Sequence, residues 1–208
     1  MADNFGISQL VDYLYQMGVR IARLDANSET IELIFHGKHG QWRMILSFQQ
    51  HDEVRKLMLV VPHIGTVTSN KRLECLEALL AVNFRIAMGK FGLDLDDGEV
   101  RLEESVPVAR DSITKEQFRL AFGAIMQTVS MYSNLIPRIV YGNMTTQQAL
   151  QACEQEYFSQ TEMTQKEDTS SEMKLLPART TGESETPSEL DVNDVLAEVS
   201  RILEGEKE

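Results

Sequence analysis

The sequence is poor in the residue types that mark several common classes of protein. Of its 208 residues only two are cysteines, Cys75 and Cys153, and they have no CxxC spacing. A disulfide framework or a zinc site is therefore not expected, and a reducing compartment fits better. No apolar run approaches the roughly 20 residues that a transmembrane helix needs. The N-terminus lacks the basic and apolar pattern of a secretory signal, so we expect a cytoplasmic protein without membrane insertion.

Basic residues are scarce as well, since 20 Lys and Arg stand against 32 Asp and Glu, for a net charge of −12. Nucleic-acid backbones are bound by clustered Lys and Arg, so this balance argues against a nucleic-acid partner. The acidic charge is concentrated in residues 160–208, where 13 acidic and 5 basic residues give −8. Residues 159–187 are rich in Ser, Thr and Glu, which predicts a disordered acidic linker. We therefore divide the chain into a domain over 1–158, this linker, and a C-terminal helix over 188–204.

Two kinds of hydrophobic periodicity are present in the first 158 residues. Apolar residues at helical spacing predict a helix from Gly6 to Met17. Four strands are predicted next, over residues 20–24, 30–36, 41–49 and 56–62. The last of them, KLMLVVP, is apolar on both faces. We expect it to lie centrally in a sheet, or to have its second face covered by a partner.

A long helix is predicted over residues 70–88, with Ser69 or Asn70 as its N-cap. Its apolar stripe, expected to face the core, is Leu73, Leu76, Leu80, Phe84 and Ala87. Two short strands follow, at about 90–93 and 99–106. A third helix begins at Thr114, with Gln117 as its capping-box partner, and a fourth covers 146–158. Helices and strands are segregated along the chain, which favours an α+β domain with an antiparallel sheet.

The acidic stretch GLDLDDGEV at residues 92–100 has three possible interpretations: a calcium loop, a catalytic carboxylate cluster, or a turn between strands. An EF-hand loop beginning at Asp94 would need Gly at its sixth position and Glu at its twelfth. The sequence has Gly98 at the fifth position and Ser105 at the twelfth, so the register fails. Asp97-Gly98 between two strands is typical of a hairpin. We therefore predict that Asp97 and Gly98 form a structural turn.

Other residues that could bind a metal ion or act as nucleophiles lack supporting neighbours in the sequence. His36 and His39 have an H-x-x-H spacing in a loop, without an acidic or Cys neighbour, so an exposed turn is favoured over a metal site. Cys75 and Cys153 lack an identifiable partner base, and small core residues are the simpler interpretation. No P-loop, GxGxxG or GxSxG motif occurs. We expect no enzymatic activity, no cofactor and no bound metal.

Residues 76–108, LEALLAVNFRIAMGKFGLDLDDGEVRLEESVPV, resemble the central signature of YbjN-type domains. In that signature a helix ends in Asn-Phe or Asn-Tyr, and Gly-x-Phe-Gly, the Asp-Gly turn and a GEVRL strand follow. The resemblance covers about residues 5–142. It implies a fold similar to that of type III secretion chaperones, an antiparallel sheet with helices packed on one face, usually dimeric. The implied role is that of a bacterial regulator or chaperone-like protein without a catalytic motif.

The tail beyond Phe158 departs from the short members of that family. Its last part, TPSELDVNDVLAEVSRILEGEKE, predicts an amphipathic helix over 188–204. The predicted partner-binding residues on this helix are Val192, Val195, Leu196, Val199, Ile202 and Leu203. A helix of this length is marginal alone in water. It therefore needs a surface on its own domain, on a sister subunit or on another protein, unless it is a frayed and functionless end.

Our first functional hypothesis is a non-enzymatic protein-binding module, either chaperone-like or a regulatory adaptor. It would act as a homodimer, with the sheet face and the KLMLVV strand as its dimer or partner surface and the tail helix as a tethered recognition element. The alternative is a sensory or transcriptional-type regulator that responds to a small ligand or ion through the acidic loop or the histidines.

Overall fold

The computed structural model describes residues 5–37, 40–51, 54–108 and 112–171, and over 160–171 it describes the backbone alone. The elements in chain order are α1 (Ile7–Gln16), β1 (Arg23–Asp25), β2 (Thr30–Gly37), β3 (Gly40–His51), β4 (Val54–Thr66), a 3₁₀ turn (Ser69–Lys71), α2 (Arg72–Arg85), β5 (Lys90–Leu93), β6 (Glu99–Pro107), α3 (Lys115–Tyr132), α4 (Leu135–Val140) and α5 (Thr146–Ser171).

The strands form one six-stranded sheet in the order β1-β2-β3-β4-β6-β5, and every neighbouring pair is antiparallel. The predicted α+β class with an antiparallel sheet is confirmed. Strand β4 pairs with β3 on one side and β6 on the other, so the strand that is apolar on both faces lies centrally. Its register with β6 shifts between Val61 and Gly65, where α4 comes so close that a Cβ on Gly65 would lie 3.0 Å from the Cβ of Ile136.

One face of the sheet is buried beneath the helices. In β2 the buried side chains are every second residue, Ile31, Leu33 and Phe35, as the two-residue period of a strand requires. Facing them, helix α3 buries a line of apolar and aromatic residues. These are Phe118, Ala121, Phe122, Ile125, Val129 and Tyr132. The core of the domain is therefore the layer between this sheet face and α3.

Helix α3 begins at the predicted capping box. The backbone N–H of Gln117 donates to the Thr114 hydroxyl at 3.2 Å, and the Thr114 N–H donates to Gln117 Oε1 at 2.9 Å. The helix ends at Tyr132, and Pro137 lies in the first turn of α4. Backbone N–H groups in a first turn have no intrahelical acceptor, so proline's lack of an N–H removes no hydrogen bond there.

Three predicted helix ends differ from the structure. Helix α2 ends at Arg85 rather than at residue 88, so Ala87 of its predicted stripe lies beyond it. Ser69 and Asn70 lie inside the 3₁₀ turn, so neither is the N-cap of α2, which begins at Arg72. Helix α5 does not end at Phe158 but continues to Ser171, so the first part of the predicted linker is helical. The residues there are mostly polar but include Glu, Gln, Met and Lys, which are good helix formers, and low apolar content opposes burial rather than helix formation. Residues 172–187 of the predicted linker lie outside the described residues.

Candidate functional site

Helix α2 has apolar side chains on two opposite faces. The buried face consists of Cys75, Ala78, Leu79 and Val82. The opposite face is exposed to solvent, with exposed fractions of 78% for Leu73, 40% for Leu76, 71% for Leu80 and 92% for Phe84. We call these four exposed residues the α2 stripe. Their spacing places them in one line along the helix, because residues three and four apart are neighbours on a helix surface.

The sequence prediction for the orientation of this helix is therefore wrong. The face that was expected to pack into the core, Leu73, Leu76, Leu80, Phe84 and Ala87, points outward instead. Three of the four buried residues, Cys75, Ala78 and Val82, have small side chains. Small side chains let the helix axis approach the edge of the sheet at β5, whereas the bulky stripe would hold it away. When both faces of a helix are apolar, packing against the neighbouring elements decides which face is buried.

Asn83 fixes α2 against the edge strand β5. Its Oδ1 accepts the backbone N–H of Phe91 at 2.7 Å, and its Nδ2 donates to the Phe91 carbonyl at 3.0 Å. These two bonds occupy backbone groups of the edge strand that would otherwise be open to another chain. At the other end of the helix, Arg72 Nη2 donates to the Leu95 carbonyl at 3.0 Å.

Helix α5 holds the opposite side of α2. Near its start, the Thr146 hydroxyl donates to the Glu74 carbonyl at 3.2 Å. About two turns further along, Glu154 forms an ion pair with Arg85 and accepts the Tyr132 hydroxyl at 3.1 Å. Burial, with a smaller contribution from the Glu154 carboxylate, raises the pKa of Tyr132 to about 12, so this phenol stays a hydrogen-bond donor at neutral pH.

The α2 stripe is consequently displayed on a helix that is fixed from both sides. Leu95, which is 57% exposed, lies near the start of α2, because its carbonyl accepts the bond from Arg72. A contiguous apolar line of this kind on a domain surface is typical of a protein-binding site. Its side chains offer no acid, base or nucleophile, so it can bind apolar surface but cannot perform chemistry.

The acidic residues 94–98 lie in the connection between β5 and β6, which pair up to Leu93 and Val100. Asp94 Oδ1 accepts the backbone N–H of Asp96 at 2.9 Å, and Asp97 Oδ1 accepts that of Glu99 at 2.8 Å. Gly98 has a φ of +78°, and a Cβ there would lie 2.3 Å from the carbonyl oxygen of Val67. The structure thus places Asp97 and Gly98 in a tight turn, with two of the carboxylates engaged by the turn's own backbone.

The family profile of YbjN, described as "Putative bacterial sensory transduction regulator", matches residues 8–137. The chain belongs to the YbjN family. The matched range contains the sheet, α2 and α3 and ends inside α4, whereas α5 and the tail lie beyond it. The resemblance seen in residues 76–108 is confirmed.

Two solved structures are similar to this chain. The crystal structure of the ExsC–ExsE complex matches with 19% identity and a TM-score of 0.46, covering 62% of this chain and 92% of that one. The crystal structure of YbjN from E. coli matches with 17% identity and a TM-score of 0.45, covering 66% of this chain and 94% of that one. Among curated proteins, no match to the sequence is found.

The geometry explains the YbjN-type signature in physical terms. Asn83 is the residue that joins α2 to the backbone of Phe91 in the Gly-x-Phe-Gly segment. Phe84, the next residue, is the most exposed member of the α2 stripe. Gly98 occupies a turn position that a side chain cannot enter without moving Val67. The sequence pattern alone identified these residues but could not assign the Asn to an edge-strand contact or the Phe to a surface.

The face of the sheet opposite the helices was the predicted dimer or partner surface. On that face Met58, in the middle of the KLMLVV strand, is only 8% exposed, between Ser47 of β3 and Ser105 of β6 in the sheet register. Ile34 is 40% exposed, and the ion pair of Arg43 with Glu32, at 3.3 Å, lies beside it in the β2–β3 register. Val54 at the start of β4 lies on the same face and is 61% exposed, so this face displays separate apolar side chains, whereas the α2 stripe displays four in one line. The role of the sheet face as an interaction surface stays a prediction.

The two cysteines are both buried, Cys75 in α2 and Cys153 in α5. Burial raises the pKa of both thiols, that of Cys153 to about 11. A nucleophilic cysteine needs a lowered pKa and access to solvent, so this environment suits core residues.

The histidines do not converge in the part of the chain that the structure describes. His36 is exposed near the end of β2, and His63 Nδ1 lies 3.2 Å from Glu99 Oε1 at the bulge of β4. His39 lies outside the described residues. Within the described ranges, no group of three or more His, Cys, Asp or Glu side chains is arranged to hold a metal ion. Among the helices described, none is both long and apolar enough to span a membrane.

The predicted recognition helix of the tail lies outside the described residues. Its apolar residues, which we call the tail stripe, are Val192, Val195, Leu196, Val199, Ile202 and Leu203. Their role stays a prediction from the sequence.

Proposed function

We propose that this member of the YbjN family is a non-enzymatic protein-binding module, a chaperone-like protein or regulatory adaptor, that acts as a homodimer through the α2 stripe. The observation that supports this function is the exposure of four large apolar side chains in one line on a helix that contacts β5 on one side and α5 on the other. The tail stripe serves as a tethered recognition element for a protein partner.

Energetic reasoning supports a protein as the occupant of the α2 stripe. Burying a large apolar side chain contributes about 1.5–3 kcal/mol, so the three most exposed members, Leu73, Leu80 and Phe84, offer several kcal/mol to whatever covers them. Two copies related by a two-fold axis can pack the same stripe against itself, since an isologous interface needs only a self-complementary surface. A straight apolar line on a helix suits such antiparallel helix packing.

The dimer is tested by sedimentation velocity of the full chain across a range of concentrations. Leu80→Asp combined with Phe84→Asp is expected to convert the dimer to a folded monomer, because both side chains are exposed and tolerate charge in the monomer. The matched control is Leu120→Asp with Tyr141→Asp, two apolar residues that are 54% and 76% exposed on other elements. The control should remain dimeric. A stripe variant that stays dimeric would overturn the assignment.

The role of the tail is tested by capture from native extract. Val195→Asp combined with Leu196→Asp is expected to abolish recruitment of partner proteins while circular dichroism shows an unchanged domain. Capture of the same partners by the variant would contradict the recognition role.

A sensory regulator that responds to a small ligand or ion is the second candidate, and the description of the family favours it. A pocket of about 410 Å³ is present, lined by Gly6, Glu29, Phe48, Gln50 and Arg55. Its charged groups already pair, with Arg55 Nη2 at 2.8 and 2.9 Å from the two carboxylate oxygens of Glu29. Calorimetric titration with calcium, zinc and common nucleotides tests this candidate, and absence of heat with all of them would reject it.

A further inference from the structure

Two apolar stripes of equal length occur in this chain. The α2 stripe runs from Leu73 to Phe84, and the tail stripe from Val192 to Leu203 covers the same interval of 11 residues. At about 1.5 Å per residue, each extends for about 16 Å along a helix. We propose that segment 188–204 docks as a helix on the α2 stripe of its own chain, antiparallel to α2, and masks the dimer surface. This inference rests on the proposed function, because it assigns a regulator to the same surface.

The course of α5 places the start of the tail within reach of the C-terminal end of α2. Thr146 contacts Glu74 and Glu154 contacts Arg85, so α5 runs alongside α2 in the same direction. From Glu154 it continues to Ser171, about 25 Å at roughly 1.5 Å per residue. The connection 172–187 has 16 residues, and a flexible chain of that length has a root-mean-square span of about 20–24 Å. It can therefore return segment 188–204 to the Phe84 end of the stripe.

Because segment 188–204 reaches the Phe84 end of the α2 stripe first, the direction in which it docks is determined. The segment would begin beside Phe84 and run towards Leu73, which is antiparallel to α2. Placed this way, Val192 lies near Phe84 and Leu203 lies near Leu73. A parallel arrangement would require the connection to pass along the whole stripe before the helix starts.

Charge supports docking of the tail on α2. The first turns of segment 188–204 are acidic, with Glu189, Asp191 and Asp194. At the C-terminal end of α2, Lys90 Nζ lies 3.2 and 3.4 Å from the carbonyls of Asn83 and Ile86. The ammonium of Lys90 thus stands at the end of α2 where the acidic turns arrive. Lys71 and Arg72 stand at the start of α2 as well, so opposite charge favours docking of the acidic segment on this helix, and the direction rests on the tether.

Docking in cis is favoured over docking on a second copy because of the tether. A short flexible connection gives an effective concentration in the millimolar range, well above the concentration of free chains in a dilute solution. A helix that is marginal alone gains its stability from burying its apolar face, so docking and folding of the segment are coupled.

The consequence is a self-masked dimerisation surface. Each copy must release its own tail before the α2 stripes can meet, so the apparent dissociation constant rises by the inverse of the free fraction for each copy. With about one tenth of the copies free, dimerisation weakens about tenfold per copy, or roughly a hundredfold overall. A protein that captures the tail stripe would release the α2 stripe, which couples partner recognition to dimerisation.

Disulfide trapping in the full chain at low concentration tests the docked arrangement. Leu73→Cys with Leu203→Cys is expected to form an intrachain disulfide, detected by peptide mass spectrometry. The matched control, Phe84→Cys with Leu203→Cys, should form it at least about tenfold more slowly, since these ends are about 16 Å apart in the antiparallel arrangement. An interchain product, equal rates, or faster trapping of the control would overturn the proposal.

Sedimentation velocity tests the masking separately. Val195→Asp with Leu196→Asp in the full chain should tighten the dimer about a hundredfold, whereas Asn193→Asp with Ala197→Asp, two substitutions off the tail stripe, should leave it unchanged. Unchanged dimerisation of the first variant would overturn the masking. If Leu80→Asp with Phe84→Asp fails to dissociate the dimer, the proposed function fails, and the trapping experiment still decides whether the tail docks on α2.

Discussion

Asn83 binds the backbone of Phe91 with both ends of its amide, accepting the N–H at 2.7 Å and donating to the carbonyl at 3.0 Å. A side chain thus occupies the edge of the sheet at β5, where a further strand would otherwise pair. The contact joins the helix that carries the α2 stripe to the hairpin that follows it. The position of the stripe therefore depends on this amide together with the contacts of α2 to Leu95 and α5.

Asn83→Ala is expected to lower the free energy of unfolding by about 1–3 kcal/mol, because it removes two hydrogen bonds to a partly buried backbone. Asn70→Ala, an exposed residue of the 3₁₀ turn, is the matched control and should change stability by less than about 0.5 kcal/mol. Urea denaturation measures both. Equal stability of the two variants would show that the Asn83 contact does not hold α2 in solution.

Leu79 and Leu80 are adjacent in sequence but lie on opposite faces of α2, with exposed fractions of 4% and 71%. Leu79→Ala is expected to destabilise the domain by about 2–5 kcal/mol, because it leaves a cavity in the core. Leu80→Ala should change the stability of the monomer by less than about 0.5 kcal/mol. Thermal unfolding of both at concentrations below the dimer dissociation constant checks this, and a reversed order would restore the orientation predicted from the sequence.

Gly98 and Gly18 both have positive φ, +78° and +70°, but their surroundings differ. A Cβ on Gly98 would lie 2.3 Å from the Val67 carbonyl oxygen, whereas a Cβ on Gly18 meets nothing within 4 Å. Gly18→Ala is expected to destabilise by about 1–2 kcal/mol from backbone strain alone. Gly98→Ala should destabilise by more, since the β5–β6 turn or Val67 must also move. Denaturant unfolding of the two variants side by side gives the comparison.

Tyr132 should make stability depend on pH in the alkaline range. Burial, and then the Glu154 carboxylate, raise its pKa from 10.0 to about 12 in the folded chain, so the folded state holds this proton more tightly than the unfolded state does. The contribution is complete below pH 10 and is lost as the pH rises towards 12. Tyr132→Phe should flatten the fall in stability over this range. Burial also raises the pKa of Tyr157, so part of the fall should remain. An unchanged slope in the variant would contradict the buried environment of Tyr132.

The sequence predicted the buried residues correctly wherever one face of an element is apolar and the other polar. Strand β3 alternates from Trp42 to Phe48, and its buried residues Met44 and Leu46 are those that the alternation selects. Helix α3 has one apolar face, which lies in the core. The turn at Asp97-Gly98 can be predicted from the local sequence, because a positive φ at glycine depends on few other residues. Family membership also came from local sequence, through the segment between Leu76 and Val108.

The orientation of α2 could not be obtained in this way. The pattern of Leu73, Leu76, Leu80 and Phe84 is correct as a pattern, but the helix has a second apolar face made of smaller residues. Which face turns inward depends on how closely the helix can approach β5 and α5. That distance is set by residues far along the chain, such as Phe91, Thr146 and Glu154.

The sequence by itself determined the class of fold, the acidic turn and the family, because each depends on local periodicity or on a short motif. Only the tertiary structure decided that the bulky face of α2 is exposed and that Asn83 holds it there. The physical reason is packing: an apolar side chain is buried only where the space between elements accommodates its volume, and that space exists only once the whole chain has folded.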